Sequence, residues 1–313
     1  MKNQPIQARV TNLIISFRPA QWLKNLVVFA AILFSRELFI GDKFLPVFYT
    51  FLIFSMASSS MYLINDLIDQ EKDRLHFSKK NRPIAAGRLR TGNVLLVAIV
   101  LITISLMAAY QISYYLLAII ASYIIVQLFY SLWLKNIMIL DILVIAFTFM
   151  LRIFAGSIVV LTPLSAWLIL TTMMLALFLG VGKRRSELTL LSGQTAVKHR
   201  RSLIFYPAVL LDALAIMMAT STLLTYSLFT FNAPETVQRE FFTSFFPQTL
   251  ASPKLLMATI PIVVYGIFRY LYLVFEKSEG ESPERILLSD KPLFISVASW
   301  LVLVISTLYF FSL

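Results

Sequence analysis

From residue 22 onward the chain alternates long apolar runs with short polar segments, and nine of the runs are long enough to cross a bilayer as helices. They cover residues 22–40, 44–64, 93–110, 112–131, 137–161, 164–182, 203–231, 255–275 and 293–311. The first is the weakest of the nine, because Arg36 and Glu37 fall near its end. Three polar stretches separate the runs on one side, at residues 66–92, 183–201 and 276–292. The first two open with charged residues that extend the preceding helices beyond the bilayer, and Pro83 and Gly87 mark where the first one turns. Residues 232–252 are polar with many Phe, a pattern that suits an interfacial element. No linker or low-complexity stretch interrupts the chain, so the pattern predicts one all-α integral membrane domain over residues 1–313.

Composition agrees with that reading: 59% of residues are hydrophobic and only 14% charged, too apolar for a soluble domain of this length. Charge then gives orientation. With the N-terminus inside, the inner segments hold 21 of the 27 Lys and Arg residues and the outer loops hold four. Arg152 and Arg269 fall inside spans. The asymmetry predicts a cytoplasmic N-terminus and, with nine spans, an outside C-terminus. The net charge of +11 sits mainly on the inner face, where topology and anionic lipid account for it, and nucleic acid is not an expected partner. The N-terminus lacks the short apolar core and small-residue cleavage site of a signal peptide. There is no cysteine, which excludes disulfides and thiolate chemistry.

The chemistry concentrates in one inner segment, NDLIDQEKDRLHFSKKNRPIAAG from Asn65 to Gly87. Asn65, Asp69 and Asp73 stand at i, i+4 and i+8, one face of a helix, with Asp66 beside them. Lys79, Lys80 and Arg82 follow. Carboxylates in register followed by clustered cations suit a magnesium–pyrophosphate group, oxygen ligands for the hard metal and cations for the remaining phosphate charge. A solvated helix end whose acids pair with Lys72 and Arg74 is the bland alternative. Asp141 and Arg152 lie in the fifth span eleven residues apart, three helical turns and hence one face. Ionisable groups at that depth are costly, so they line a polar cavity or form a structural ion pair. Lys135, Lys183, Arg184 and Glu187 sit at inner span ends, as candidate phosphate contacts or as anchors and a helix pair; Gln21 and Lys24 are similar. His76 is read as structural and His199 as chemically silent, while Arg269 and Asp212 are expected to pair or to face a polar cavity.

The pattern N-D-x-x-D-x-x-x-D resembles the first aspartate-rich motif of the UbiA prenyltransferase superfamily. The continuation H-x-x-K-K-x-R-P-I-A-A-G, from His76 to Gly87, is similar to its decaprenyl-phosphate phosphoribosyltransferase branch. Arg18, Pro19, Gln21, Trp22, Lys24 and Asn25 fit that branch's R-P-x-Q-W-x-K-N opening. YSLWLK (Tyr130 to Lys135), Asp141 and LRIFAG (Leu151 to Gly156) fit its second motif region. GKRRSEL (Gly182 to Leu188) and SPERILLSD (Ser282 to Asp290) resemble its later segments. One departure stands out: many members carry a second D-x-x-x-D, whereas here Ile145 follows Asp141 at that spacing, and Arg152 supplies a buried cation instead.

The resemblance implies a UbiA-type bundle with a central polar cavity open to the cytoplasm, in the inner membrane. It implies Mg2+ at Asn65, Asp66, Asp69 and Asp73, with Asn65, Asp69 and Asp73 catalytic. Substrate contacts would come from Gln21, Lys24, Lys79, Lys80, Arg82, Tyr130, Lys135, Asp141, Arg152, Lys183, Arg184 and Glu187. The implied reaction moves a 5-phosphoribosyl group from 5-phosphoribosyl 1-pyrophosphate to a polyprenyl phosphate such as decaprenyl phosphate, and in the family it feeds cell-wall glycans. An aromatic prenyltransferase using a prenyl diphosphate is the alternative within the superfamily. A lipid-phosphate transporter is the alternative outside it, and it would not need three acids in register. Acceptor chain length is left open, as is a homo-oligomeric state.

Overall fold

The computed structural model describes residues 5–75, 79–190, 206–233, 254–276 and 282–310. His76 and His199 lie outside the described residues, as does most of the 232–252 segment. Every regular element among the described residues is helical, in accord with the all-α expectation. In chain order they are α1 (Ile6–Phe17), a 3-10 segment (Pro19–Phe29) running into α2 (Ala30–Phe34), α3 (Gly41–Ile68) and α4 (Gln70–Leu75). Then follow α5 (Thr91–Ile112), α6 (Tyr114–Leu132), α7 (Leu140–Val160), α8 (Ala166–Leu190) and α9 (Ala208–Asn232). A 3-10 turn (Leu255–Thr259) leads into α10 (Ile260–Phe275), and α11 (Pro283–Ser289) precedes α12 (Lys291–Ile305), which ends in a π turn (Ser306–Phe310).

Eight of these stretches are long and apolar enough to cross a membrane, and they correspond to the second through ninth predicted spans. The remaining one differs from expectation. Residues 35–40 are not helical, and the apolar helix is Pro19–Phe34, mostly wound as 3-10. A 3-10 turn rises about 2.0 Å per residue, against about 1.5 Å in an α-helix, so fewer residues cover a given depth. Helix α8 carries on past residue 182, so Lys183, Arg184 and Glu187 are helical.

The chain divides into two compact units. The first holds residues 5–30 and 40–162 with Tyr206; the second holds residues 31–39, 163–190 and 207–310 among those described. In the first unit α3 packs against α5, α6, α7, α1 and the 3-10 segment. Its centre is SMASSSM, where Ser55, Ser58, Ser59 and Ser60 are all buried. Small residues let neighbouring backbones come close in a membrane bundle. Each hydroxyl returns a hydrogen bond to its own helix, as Ser59 does to the Ser55 carbonyl at 2.7 Å and Ser60 to that of Ala57 at 2.7 Å. Helix α7 meets the 3-10 segment at Gly156, where a Cβ would lie 1.8 Å from the Val28 carbonyl oxygen.

In the second unit α8 packs mainly against α9 and also against α10. Phe178, Ala219, Ile267, Tyr270, Leu273, Val274, Ile286 and Leu293 form one buried cluster within it. Asp290 caps α12 by accepting from the Leu293 backbone N–H at 2.9 Å, and Arg269 grips the same carboxylate with two donors at 3.1 and 2.8 Å. Asp212 accepts from Arg185 at 2.5 Å. Arg269 and Asp212 therefore each pair, one of the two arrangements expected of them.

Candidate active site

The acidic motif sits where α3 gives way to α4. The i→i−4 bonds continue through the junction, from Asp69 N–H to the Asn65 carbonyl at 2.9 Å and from Asp73 N–H to that of Asp69 at 2.8 Å. Asp69 itself leaves the helical region, at φ −91° and ψ 6°. The acids are shared out in two groups. Arg82 Nη1 donates to Asp66 Oδ1 at 3.0 Å and to Asp73 Oδ2 at 2.6 Å. Arg18 Nη2 donates to the same Asp66 oxygen. Lys135 Nζ donates to both Asp69 oxygens, at 2.8 and 2.6 Å, and reaches Asn65 Oδ1 at 3.5 Å. Asp66 and Asp73 are buried, while Asn65 and Asp69 are half-buried. The face read from spacing as Asn65–Asp69–Asp73 is thus divided: Asp73 joins Asp66, two turns before it, because Arg82 bridges that pair.

The cations come from three separate stretches, each fixed by local structure. Arg82 rides on the RPIAAG turn, where Ile84 is fully buried against Leu63, Val94 and Ala98. Gln70 Nε2 holds the Ile84 carbonyl and Arg74 Nε the Ala85 carbonyl, both at 3.1 Å. Arg74 thereby serves the turn, not the acids. Gly87 closes that turn at φ +70°, a conformation that suits glycine. Lys135 lies in the short 3-10 turn Leu134–Asn136 that joins α6 to α7. Arg18 adopts φ 55° between α1 and Pro19, a left-handed conformation uncommon for a non-glycine residue. Its guanidinium lies 5.1 Å from the Tyr62 ring centroid. Burial lowers its pKa and Asp66 raises it, but a guanidinium remains charged throughout. Spacing did not single out Arg18, although it opens the R-P-x-Q-W-x-K-N stretch; the one local signal was the proline after it.

That stretch runs along α3 as two rails. Arg18 meets Asp66, and Gln21 Oε1 lies 3.5 Å from the Tyr62 hydroxyl. Trp22 Nε1 donates to Ser59 at 3.0 Å, and Asn25 Nδ2 donates to Ser55 at 3.1 Å. Each step of three residues on the 3-10 segment matches a step of four on α3. Both advance roughly 6 Å, from about 2.0 and 1.5 Å per residue. Lys24 Nζ donates to Gln21 Oε1 at 2.5 Å, so these two candidates share the face that carries Arg18.

Asp141 and Arg152 belong to separate networks on α7. Asp141 is fully buried and accepts from the Tyr206 hydroxyl at 2.9 Å, which in turn accepts from the Ile139 N–H at 2.6 Å. Ile139 has φ 71°, an outlier for a β-branched residue that this hydrogen bond holds in place. Tyr206→Phe removes the hydroxyl from both partners and is expected to destabilise the first unit by about 1–3 kcal/mol, read as a lower midpoint in thermal denaturation. Arg152 is buried and donates to Asn25 Oδ1 at 2.8 Å, to the Thr148 carbonyl at 2.6 Å and to the Tyr123 hydroxyl at 3.2 Å. Of the other candidates, Tyr130 is half-buried on α6, Lys79 half-buried and Lys80 exposed in the turn after α4. In the second unit Arg184 and Glu187 are buried and form an ion pair one turn apart on α8, with Lys183 half-buried beside them.

Among the described residues no three acidic or histidine side chains stand as a metal-binding group. The donor chemistry still fits a hard divalent cation: three carboxylates and one amide oxygen, with one cationic nitrogen, Arg82 Nη1, touching Asp66 and Asp73 at once.

Comparison with known proteins agrees with the sequence motifs. The decaprenyl-phosphate phosphoribosyltransferase of Corynebacterium glutamicum is 32% identical over 312 residues, covering 98% of this chain and 90% of that one. That of Mycolicibacterium smegmatis is 33% identical over 310 residues, covering 98% and 95%. A UbiA homolog from Archaeoglobus fulgidus, solved with GPP and Mg2+, superposes with a TM-score of 0.69 at 18% identity, covering 95% of this chain and 99% of that one. A digeranylgeranylglyceryl phosphate synthase superposes at 0.60 and 16% identity, covering 96% and 98%. These two likenesses concern the fold. The model of the UbiA prenyltransferase family matches residues 26–298, and this multi-pass membrane protein, a transferase by that kinship, belongs to the UbiA prenyltransferase family.

Proposed function

We propose that the protein transfers a 5-phosphoribosyl group from 5-phosphoribosyl 1-pyrophosphate to a polyprenyl phosphate and releases pyrophosphate. The observation that carries this reading is the cluster of Asp66, Asp69 and Asp73 held by Arg18, Arg82 and Lys135, acids and cations in equal number at a membrane-helix end. The names of the relatives favour the phosphoribosyl donor. Mg2+, held by Asn65, Asp66, Asp69 and Asp73, would neutralise the charge of the departing pyrophosphate.

The chain's own residues supply binding and orientation. Arg82, Lys79 and Lys80 clamp phosphate oxygens, and Lys135 exchanges its carboxylate partner for one of them. Gln21 and Lys24 approach from the 3-10 segment, with Tyr130 completing the wall. The C1–O bond to pyrophosphate breaks as a lipid phosphate oxygen bonds to C1 from the opposite face, and the leaving group takes the electron pair. A phosphate monoester has a second pKa of about 6 and needs little help to ionise. Positioning and charge neutralisation therefore do most of the work. Lys183 and Arg184 are the cations proposed for the donor's 5-phosphate or the acceptor phosphate, and Glu187, paired with Arg184, orients that guanidinium. The whole chain acts as one domain of nine spans in the inner membrane, its site open to the cytoplasm.

Two experiments test this reading. Purified protein in lipid is given Mg2+ with either the phosphoribosyl donor and decaprenyl phosphate, or a prenyl diphosphate and an aromatic acid. Product from the first pair alone is expected; product from the second alone makes the chain an aromatic prenyltransferase. Tags at the two ends should be accessible from opposite sides of the membrane, and accessibility from one side only rules out nine spans.

A further inference from the structure

We infer that Asn25 and Arg152 are positioning residues: their hydrogen bond locks the register of the 3-10 segment and so sets where Lys24 and Gln21 stand at the site. The inference rests on the proposed role of Lys24 and Gln21 as phosphate contacts.

Asn25 is fully buried and uses both ends of its amide. Nδ2 donates to Ser55 at 3.1 Å and to Ser58 at 3.4 Å, while Oδ1 accepts from Arg152 Nε at 2.8 Å. One side chain thereby ties the 3-10 segment to α3 and α7 together. Arg152 is itself immobilised. Its donors reach Thr148 and Tyr123 as well, and its guanidinium lies 4.9, 5.4 and 5.6 Å from the ring centroids of Tyr123, Phe149 and Phe54. These partners are neutral, so the buried charge is met by dipoles and ring faces rather than by a carboxylate. A guanidinium bound this way by three groups and three rings serves better as a clamp than as a ligand that must turn toward an arriving phosphate.

The register is legible on α7 as it is on α3. Arg152 meets Asn25, and Gly156, four residues on, admits the Val28 carbonyl, three residues on from Asn25. The same exchange of three 3-10 residues for four α residues therefore operates against both neighbours. Only an arrangement with three residues per turn keeps Trp22, Asn25 and Val28 on one packed line while Arg18, Gln21 and Lys24 occupy another. Releasing Asn25 removes a tie common to both neighbours, and Lys24 is the residue immediately before it in the chain.

The chain has no cysteine, so Lys24→Cys gives a single reporter thiol. Its labelling rate by a water-soluble maleimide is measured in full-length protein in lipid, alone and combined with Arg152→Lys or Asn25→Asp. Arg152→Lys keeps the charge but not the guanidinium fork; Asn25→Asp keeps an acceptor for Arg152 but not the donors to Ser55 and Ser58. A severalfold change in labelling with either variant is expected, in protein that retains its thermal transition. Unchanged labelling in both overturns the inference whatever the enzyme does.

A double-mutant cycle on turnover gives the second arm. Arg152→Lys and Lys24→Met should each lower kcat/KM for the phosphoribosyl donor about tenfold, the loss of one charge-assisted contact. Acting through one another, they should together cost little more than Lys24→Met alone. Multiplying effects would make Arg152 an independent phosphate ligand and refute the positioning role. If wild-type protein transfers no phosphoribosyl group, the proposed function fails while the labelling arm still decides the register.

Discussion

Alanine at Asp69 or at Asp73 is expected to lower turnover at least about a hundredfold while leaving the protein folded in the membrane. Stabilisation of charge that develops in a transition state is worth roughly 10²–10³ in rate per group, and these carboxylates are proposed to organise that stabilisation. The two variants should differ in stability. Asp73→Ala takes a partner from Arg82, which keeps Asp66 at 3.0 Å. Asp69→Ala removes two contacts of Lys135, those to the Asp69 oxygens at 2.8 and 2.6 Å. Steady-state rates with saturating donor and lipid acceptor, beside thermal midpoints in detergent, check this. Near-normal rates for both variants would remove them from the site.

Gly156→Ala is expected to be the most damaging single methyl group in the first unit. The added Cβ would lie 1.8 Å from the Val28 carbonyl oxygen and 2.8 Å from its carbon, and both belong to backbone that cannot rotate away. The 3-10 segment must then move off α7, stretching the Asn25–Arg152 bond one turn along. Overpacking of this kind costs roughly 1–3 kcal/mol, seen as a lower thermal midpoint, and activity should fall with it because Lys24 shifts. Gly266→Ala is the control: its nearest neighbour would be Ser296 Oγ at 3.4 Å, ordinary contact, and it should leave midpoint and rate nearly unchanged. A Gly156→Ala protein with normal stability would show that the close approach of α7 is not needed.

The eight long spans were readable because each is a continuous apolar run, and in lipid a run of that length has few alternatives to a helix. The opening segment was not. Residues 22–40 read as one more span, yet what winds residues 19–29 as 3-10 lies elsewhere, in the serines of α3 and in Gly156 of α7. The repeat of three in Arg18, Gln21 and Lys24 was present in the sequence, but it carries meaning only once the facing helix is known. In the acidic motif the residue types were legible and the grouping was not. Spacing put Asn65, Asp69 and Asp73 together, whereas Arg82, sixteen residues beyond Asp66, pairs Asp66 with Asp73. Arg152 and Asp141 were read together from their shared face. Three turns of helix are enough to give them different neighbours, Asn25 and Tyr123 for one and Tyr206 for the other. Tyr206 had no sequence signal, since a tyrosine beside a proline is unremarkable until its hydroxyl is seen between Ile139 and Asp141.

The central claim is a group transfer that leaves pyrophosphate behind, and the path of two labels tests it most directly. The phosphoribosyl donor is prepared once with 32P in the 5-phosphate and once with 32P in the pyrophosphate, and each is incubated with purified protein, Mg2+ and decaprenyl phosphate. The account predicts that the 5-phosphate label enters the organic-soluble lipid in the wild type and not in Asp69→Ala, while the pyrophosphate label stays in water as pyrophosphate. Pyrophosphate label in the lipid, or no lipid label from either donor, would contradict it.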